Sequence, residues 1–235
     1  MRPELFVGDN DSLRSRLAQE FSDEASRAIA RRGFCTIAVA GGSVAVEGLP
    51  ALATLSIDWQ RVHVFWADER AVPPTDPESN YVSAKAVWLE PAGVPLVNIH
   101  RMRADDADLF VAATAYESEM RAVLGASGQL DFVLLGVGPD GHVASLFPGH
   151  PALSEQHRLV TAVIDAPKPP PRRLTMTMPV LAHAERLIVM AFGASKAAMV
   201  AETISQEDSR LPVSMVLRRS RRPLVLADSD AASLL

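Results

Sequence analysis

Cys35 is the only cysteine in 235 residues. No disulfide framework can be built from it, and the chain suits a reducing compartment. Cys35 itself lies inside an apolar run and reads as a small buried hydrophobe. No apolar stretch reaches the length of about 20 residues needed to span a bilayer. The opening MRPELFVGDNDS also lacks the apolar segment of a secretory signal, so a cytoplasmic protein without membrane attachment is expected. Positive charge is not in excess either. The formal net charge of -5 argues against nucleic acid held by phosphate neutralisation, though a few basic side chains can still bind a small anion. There is no H-E-x-x-H pair and no cysteine cluster. The spacing of His142, His150 and His157 matches no familiar zinc site, so no metal is expected.

What is present is a hydrophobic fraction of 48%, enough for a sizeable core, arranged in short periodic pieces. Leu13, Leu17, Phe21, Ala25 and Ile29 recur at i, i+4, which predicts an amphipathic helix over residues 11–32. Apolar runs at 36–40, 62–67, 132–137, 159–164, 187–192 and 224–226 predict buried strands. Helical stretches separate them. One follows Gly41-Gly42-Ser43, one runs from Ser79, a good N-cap, to Trp88, and one covers 108–124; shorter ones start near Pro179 and Ser195. This alternation argues for an α/β fold with a mainly parallel sheet covered by helices on both faces. No internal repeat and no dividing linker interrupts it, so residues 1–235 are read as one domain. The proline-rich segment 167–171 is read as a loop at the site and not as a boundary.

The segment Asp131 to Pro151, DFVLLGVGPDGHVASLFPGHP, carries the clearest chemical signal. Its apolar run breaks abruptly into Gly-Pro-Asp-Gly-His, as a buried parallel strand does on entering a tight loop. In open α/β sheets, ligands bind in the crevice outside the carboxyl ends of the strands. His142, with an intrinsic pKa of about 6.5, can accept and return a proton near neutrality. Asp140, two residues earlier, can orient the imidazole or stabilise its charged form. The bland alternative is a loop histidine that caps the next helix, and the position between glycines at a strand end weighs against it. Gly41-Gly42-Ser43 lies between a predicted strand and helix, where backbone N–H groups and the helix N-terminus favour a phosphate. Arg70, Arg173 and Lys196, on other strand-end loops, are candidate charged partners. Each charged hydrogen bond to a phosphate contributes about 1.5–3 kcal/mol.

Two rival motifs fit less well. Gly136, Gly138 and Gly141 spell the dinucleotide fingerprint, but they do not open the first strand–helix–strand unit. Asp165, the nearest acidic residue for a ribose contact, comes late and beside prolines. Gly41-Gly42-Ser43-Val44-Ala45 is a near miss to a serine-hydrolase elbow, with the final glycine missing and the GPDGH loop left unexplained.

Several separated segments resemble one family. AGGSVA at 40–45, FWADERAVPPTDPESNY at 65–81, LLGVGPDGHVASLFPGHP at 134–151, PPPRRLTMTMPVL at 169–181 and FGASKA at 192–197 occur in the order seen in 6-phosphogluconolactonases, which are related to glucosamine-6-phosphate deaminases. LPVSMV at 211–216 is a weaker match. The resemblance implies a single Rossmann-like domain, no cofactor, and a sugar-phosphate lactone as the small-molecule partner of a monomer or weak homo-oligomer. It makes His142 the general base that activates water, with Asp140 holding the ring. It assigns Gly41, Gly42, Ser43, Arg173 and Lys196 to the phosphate, with Arg70 near the same charge. Asp68 and Asn80 then contact sugar hydroxyls or order the Asp68-Glu69-Arg70 loop.

One departure from the family pattern concerns the phosphate turn. Ser43 is followed by Val44 and Ala45 where the family usually has Thr-Pro, which removes a hydroxyl donor and a helix-starting proline but leaves the backbone amides. The deaminase branch carries a glutamate five positions after the histidine, where this chain has Phe147, and an aromatic where this chain has Arg70. Both substitutions favour the lactonase branch. A catalytically silent sugar-phosphate sensor is the reading from another class, and retention of both Asp140 and His142 argues against it.

Overall fold

The computed structural model describes residues 2–235. In chain order the strands are β1 (Glu4–Val7), β2 (Cys35–Val39), β3 (Val62–Trp66), β4 (Asp68–Arg70), β5 (Ile99–His100), β6 (Phe132–Gly136), β7 (Val160–Val163), β8 (Arg173–Met176), β9 (Arg186–Ala191) and β10 (Pro223–Ala227). The helices are α1 (Asn10–Arg32), α2 (Leu49–Ala53), α3 (Asn80–Ala84), α4 (Glu90–Ala92), α5 (Leu109–Leu124), α6 (Met178–Ala182), α7 (Ala197–Ser205) and α8 (Pro212–Arg219). Seven strands form one sheet in the order β1-β10-β9-β6-β2-β3-β5, and every pairing in it is parallel. Helices flank the sheet, as a Rossmann-like arrangement requires. A second, antiparallel sheet of β4, β8 and β7 stands beside it.

Local chemistry explains the element ends. Asp9 accepts from Ser12 N–H at 2.8 Å and starts α1, and Gly33, at φ 89, closes it. Ser79 accepts from Val82 N–H and starts α3, which continues as a wide π-type turn over Lys85–Leu89. A second π-type turn, Val44–Gly48, joins the Gly41-Gly42-Ser43 turn to α2. The predicted helix after those glycines is therefore short and irregular, a form that helices often take beside functional sites.

The central strands β2 and β9 are buried along their whole length, and β6 up to its last residue, Gly136, as parallel strands covered on both faces are. Phe132 of β6 meets Phe21 of α1 edge-on, with ring centroids 5.2 Å apart, and Trp59 stacks on the other side of Phe21. Burying each such side chain contributes about 1.5–3 kcal/mol. Register between β2 and β6 is set by Ile37 opposite Phe132 and Val39 opposite Leu134. At the start of both strands, Asp131 accepts from the Thr36 backbone N–H at 2.8 Å and pairs with Arg32. This anchor brings the loops leaving β2 and β6 side by side.

Strands β1, β4, β5 and β8 lie outside the six runs expected from the sequence. Each is four residues or fewer, too short for an alternation to stand out. The run at 159–164 is a strand, but it pairs antiparallel in the small sheet.

Candidate active site

From β2 the chain proceeds to β3 and β5 on one side; from β6 it proceeds to β9 and β10 on the other. The gap between β2 and β6 is the switch point of the sheet, where a crevice opens at the strand ends. A pocket of about 380 Å³ occupies it. Gly41, Gly42 and Ser43 contribute from the β2 loop, Asp68 and Arg70 from β4, and His142 from the β6 loop. Arg173 contributes from β8 and Lys196 from the turn after β9. The remaining two sequence-predicted residues, Asp140 and Asn80, stand directly behind this lining.

Asp140 Oδ1 accepts the Nδ1–H of His142 at 2.6 Å. Partial burial works against the carboxylate, but hydrogen bonds from His142 and Lys168 outweigh it and hold Asp140 at about 2. It is therefore ionised at every working pH, accepts the Nδ1 proton, and leaves Nε2 of the ring as the free basic nitrogen. Burial pushes the His142 pKa below its ordinary value, with Asp140 opposing the shift and Lys168 adding to it. The ring packs against Phe147, centroid to centroid 4.6 Å. Gly138 makes the close approach possible, because a β-carbon there would stand 2.0 Å from His142 Nδ1. Ala144, on the same loop and lining the pocket, sits at φ 49, a strained conformation for a residue with a side chain.

The Asp68-Glu69-Arg70 strand is tied to α3 through Glu69. Its buried carboxylate accepts from the N–H groups of Arg70, Asn80 and Tyr81 and from the Ser79 hydroxyl. Burial raises the Glu69 pKa, and those backbone N–H donors oppose the rise. Asp68 accepts from Asn80 Nδ2 at 3.2 Å and from the Ser145 hydroxyl at 2.7 Å. Asn80 thus orders the loop through Asp68 from behind the pocket wall.

The lining also carries three cationic side chains, Arg70, Arg173 and Lys196. Antiparallel pairing places Arg70 opposite Arg173, a like-charge pair that is unfavourable unless an anion sits between or beside the two. Arg70 Nε is buried and has no partner among the described residues. Arg173 spends Nε and Nη2 on the carbonyls of Pro170, Pro169 and Lys168 and directs Nη1 toward Ser145. Burial lowers its pKa. Lys196 is half-buried, and burial, with nearby Lys168, lowers its pKa as well. Asp228 positions the turn that carries Lys196 by accepting from Gly193 N–H through both oxygens. Val44 is fully buried against Gly136, behind the pocket lining.

Three contributors were not singled out from sequence: Glu69, Ser145 and Lys168. Glu69 and Ser145 sit inside recognised motifs but act behind the wall. Lys168 lies inside the proline segment 167–171 and had one available signal, the reading of that segment as a loop at the site. Among the described residues, no group of three or more His, Cys, Asp or Glu side chains is arranged to hold a metal ion. No described helix is long and apolar enough to cross a membrane.

Comparison with known proteins places the chain in a family. Residues 8–225 match the family of glucosamine-6-phosphate isomerases/6-phosphogluconolactonase. A 6-phosphogluconolactonase of Mycobacterium tuberculosis is 37% identical over 238 residues, covering 97% of this chain and 96% of that one. One from Streptomyces coelicolor is 35% identical, covering 99% and 95% of the two chains. The solved 6-phosphogluconolactonase of Trypanosoma cruzi superposes with a TM-score of 0.87 at 27% identity, covering 100% of this chain and 97% of that one. With the fold and nearly the full length in common, the chain belongs to the glucosamine-6-phosphate isomerase/6-phosphogluconolactonase family.

Proposed function

We propose that this chain hydrolyses 6-phospho-D-glucono-1,5-lactone to 6-phospho-D-gluconate, the hydrolytic step in the oxidative branch of the pentose phosphate pathway. One observation carries the reading: a histidine whose Nδ1 is committed to an ionised aspartate at 2.6 Å, lining a pocket that also holds Arg70, Arg173 and Lys196. The relatives named above support it from outside the chain.

In this mechanism His142 Nε2 takes a proton from water, and the resulting hydroxide adds to C1 of the lactone. The tetrahedral adduct collapses with cleavage of the bond between C1 and the ring oxygen. The imidazolium returns its proton to that oxygen, and the new carboxylic acid ionises. Asp140 keeps the ring in the reactive tautomer and stabilises its transient charge. Acid–base help of this kind is worth about 10²–10⁴-fold, a suitable scale for a δ-lactone that already opens slowly in water.

The Gly41-Gly42-Ser43 turn, Arg173 and Lys196 take the phosphate, with Arg70 adding to the same field. Asp68 faces the sugar hydroxyls. Phe147 fills the position of the deaminase glutamate and offers no acid for ring opening of an amino sugar. We read the chain as a monomer or weak homo-oligomer, and the lone buried Cys35 suits a cytoplasmic setting.

The test is the rate of 6-phosphoglucono-δ-lactone hydrolysis, spontaneous opening subtracted, for wild type and His142→Ala. Fast turnover that collapses in a folded mutant is expected. A wild-type rate equal to background would sink the enzymatic reading and leave the sensor.

A further inference from the structure

Lys168 lies within the proline segment 167–171, from which no site residue was named, yet its ammonium group meets both members of the dyad. Nζ donates to Asp140 Oδ1 at 2.9 Å and stands 3.3 Å from His142 Nδ1. The same carboxylate oxygen already accepts the imidazole proton. The three groups therefore close a triangle on the Nδ1 side of the ring and leave Nε2 clear. The backbone of Lys168 is fixed as well. Its carbonyl accepts from Arg173 Nη2 at 3.2 Å, and the carbonyls of Pro169 and Pro170 accept from the same guanidinium at 3.0 and 2.9 Å. An ordinary solvated lysine has neither tether.

The charges explain what such an arrangement does. An ionised aspartate alone against a histidine favours imidazolium, and a protonated ring is no base. An ammonium group on the same carboxylate offsets that pull and opposes a second positive charge beside it. Asp68 acts on the ring in the opposite sense, and Lys196 and Arg173 line the same pocket.

We propose that Lys168 is a positioning residue of this site: its ammonium group locks the Asp140 carboxylate against His142 and holds the ring neutral with Nε2 available to water. The proposal rests on the reading of His142 as the base. It assigns the proline loop a task as well, since Arg173 at the pocket wall carries the carbonyls that fix Lys168.

The test uses the intact enzyme and four forms of it: wild type, His142→Ala, Lys168→Met and Lys168→Arg. Two readouts are needed, the pH profile of kcat/KM and the titration of the His142 ring followed by NMR without substrate. Lys168→Met should move the ring midpoint upward by about half to one unit, with the acid limb of kcat/KM following it. At pH 6 this appears as a loss of about twofold to fivefold in kcat/KM, smaller at pH 8. Lys168→Arg keeps the charge and should return the midpoint toward wild type, which a purely structural role would not predict. An unmoved ring midpoint in folded Lys168→Met overturns the proposal for Lys168. Full activity in His142→Ala overturns the base reading instead, and because the ring titration needs no turnover the two failures are told apart.

Discussion

Asn80 Oδ1 lies 1.8 Å from the point where a β-carbon on Gly41 would stand. Two motifs separated in sequence, the glycine turn after β2 and the Ser-Asn-Tyr start of α3, are thus interlocked behind the pocket. Asn80 Nδ2 also donates to the Asp68 backbone oxygen at 2.9 Å, so the contact runs from the proposed phosphate turn to the strand that carries Arg70. Gly41→Ala should push Asn80 off Asp68, raise KM several-fold and cost about 1–3 kcal/mol of stability. Denaturant unfolding and steady-state kinetics on the same preparation check it; a variant with unchanged KM and unchanged midpoint would contradict the interlock.

Gly138→Ala tests the other close approach. The added carbon collides with the His142 ring and the Asp140 carboxylate, at 2.0 and 2.5 Å, and both are side chains that can turn away. The fold should therefore tolerate the change better than the chemistry does. A misplacement of about 1 Å at a reacting group costs on the order of 10² in rate. We expect kcat to fall by about that factor with KM nearly unchanged. A loss that appears in KM alone would place the damage elsewhere.

The pH profile follows from the two shifts at the dyad. Burial first, and Lys168 second, hold His142 below its ordinary value, so its neutral, basic form persists to lower pH. Asp140, at about 2, stays ionised throughout. As pH falls, kcat/KM should stay level through neutrality and decline only with a midpoint below the usual histidine value of about 6.5. Asp140→Asn removes the charge that favours imidazolium, so the midpoint should fall further while kcat drops by about 10²–10⁴-fold. A midpoint near or above pH 7.5 in wild type would rule out a neutral buried base.

Val44 tests the departure from the family's Thr-Pro. Its side chain is fully buried behind the lining, so a hydroxyl there is expected to meet the core and not a ligand. Val44→Thr should leave KM for the lactone within about twofold and lower stability by about 1–3 kcal/mol, the cost of burying an unpaired hydroxyl. A tenfold drop in KM would show that the hydroxyl matters after all.

The chain's own order of residues determined the parallel α/β plan, the loop that presents His142 and Asp140, and the separate cationic positions at Arg70, Arg173 and Lys196. Those features are local: a buried strand is a run of apolar residues, and a glycine-bracketed Asp-x-His reads as such within a few positions. Tertiary structure decided what no local pattern encodes. The pairing of β4 with β8 sets Arg70 opposite Arg173, and neither strand is long enough to announce itself. Glu69 became the organiser of α3, and Ser145 the link from Asp68 toward Arg173, only once distant loops met. Lys168, 28 positions from Asp140 in sequence, completes the dyad for the same reason. Periodicity and turn chemistry act over a few residues, whereas charge and hydrogen bonding act through space, so the elements were legible along the chain and the partnerships among them were not.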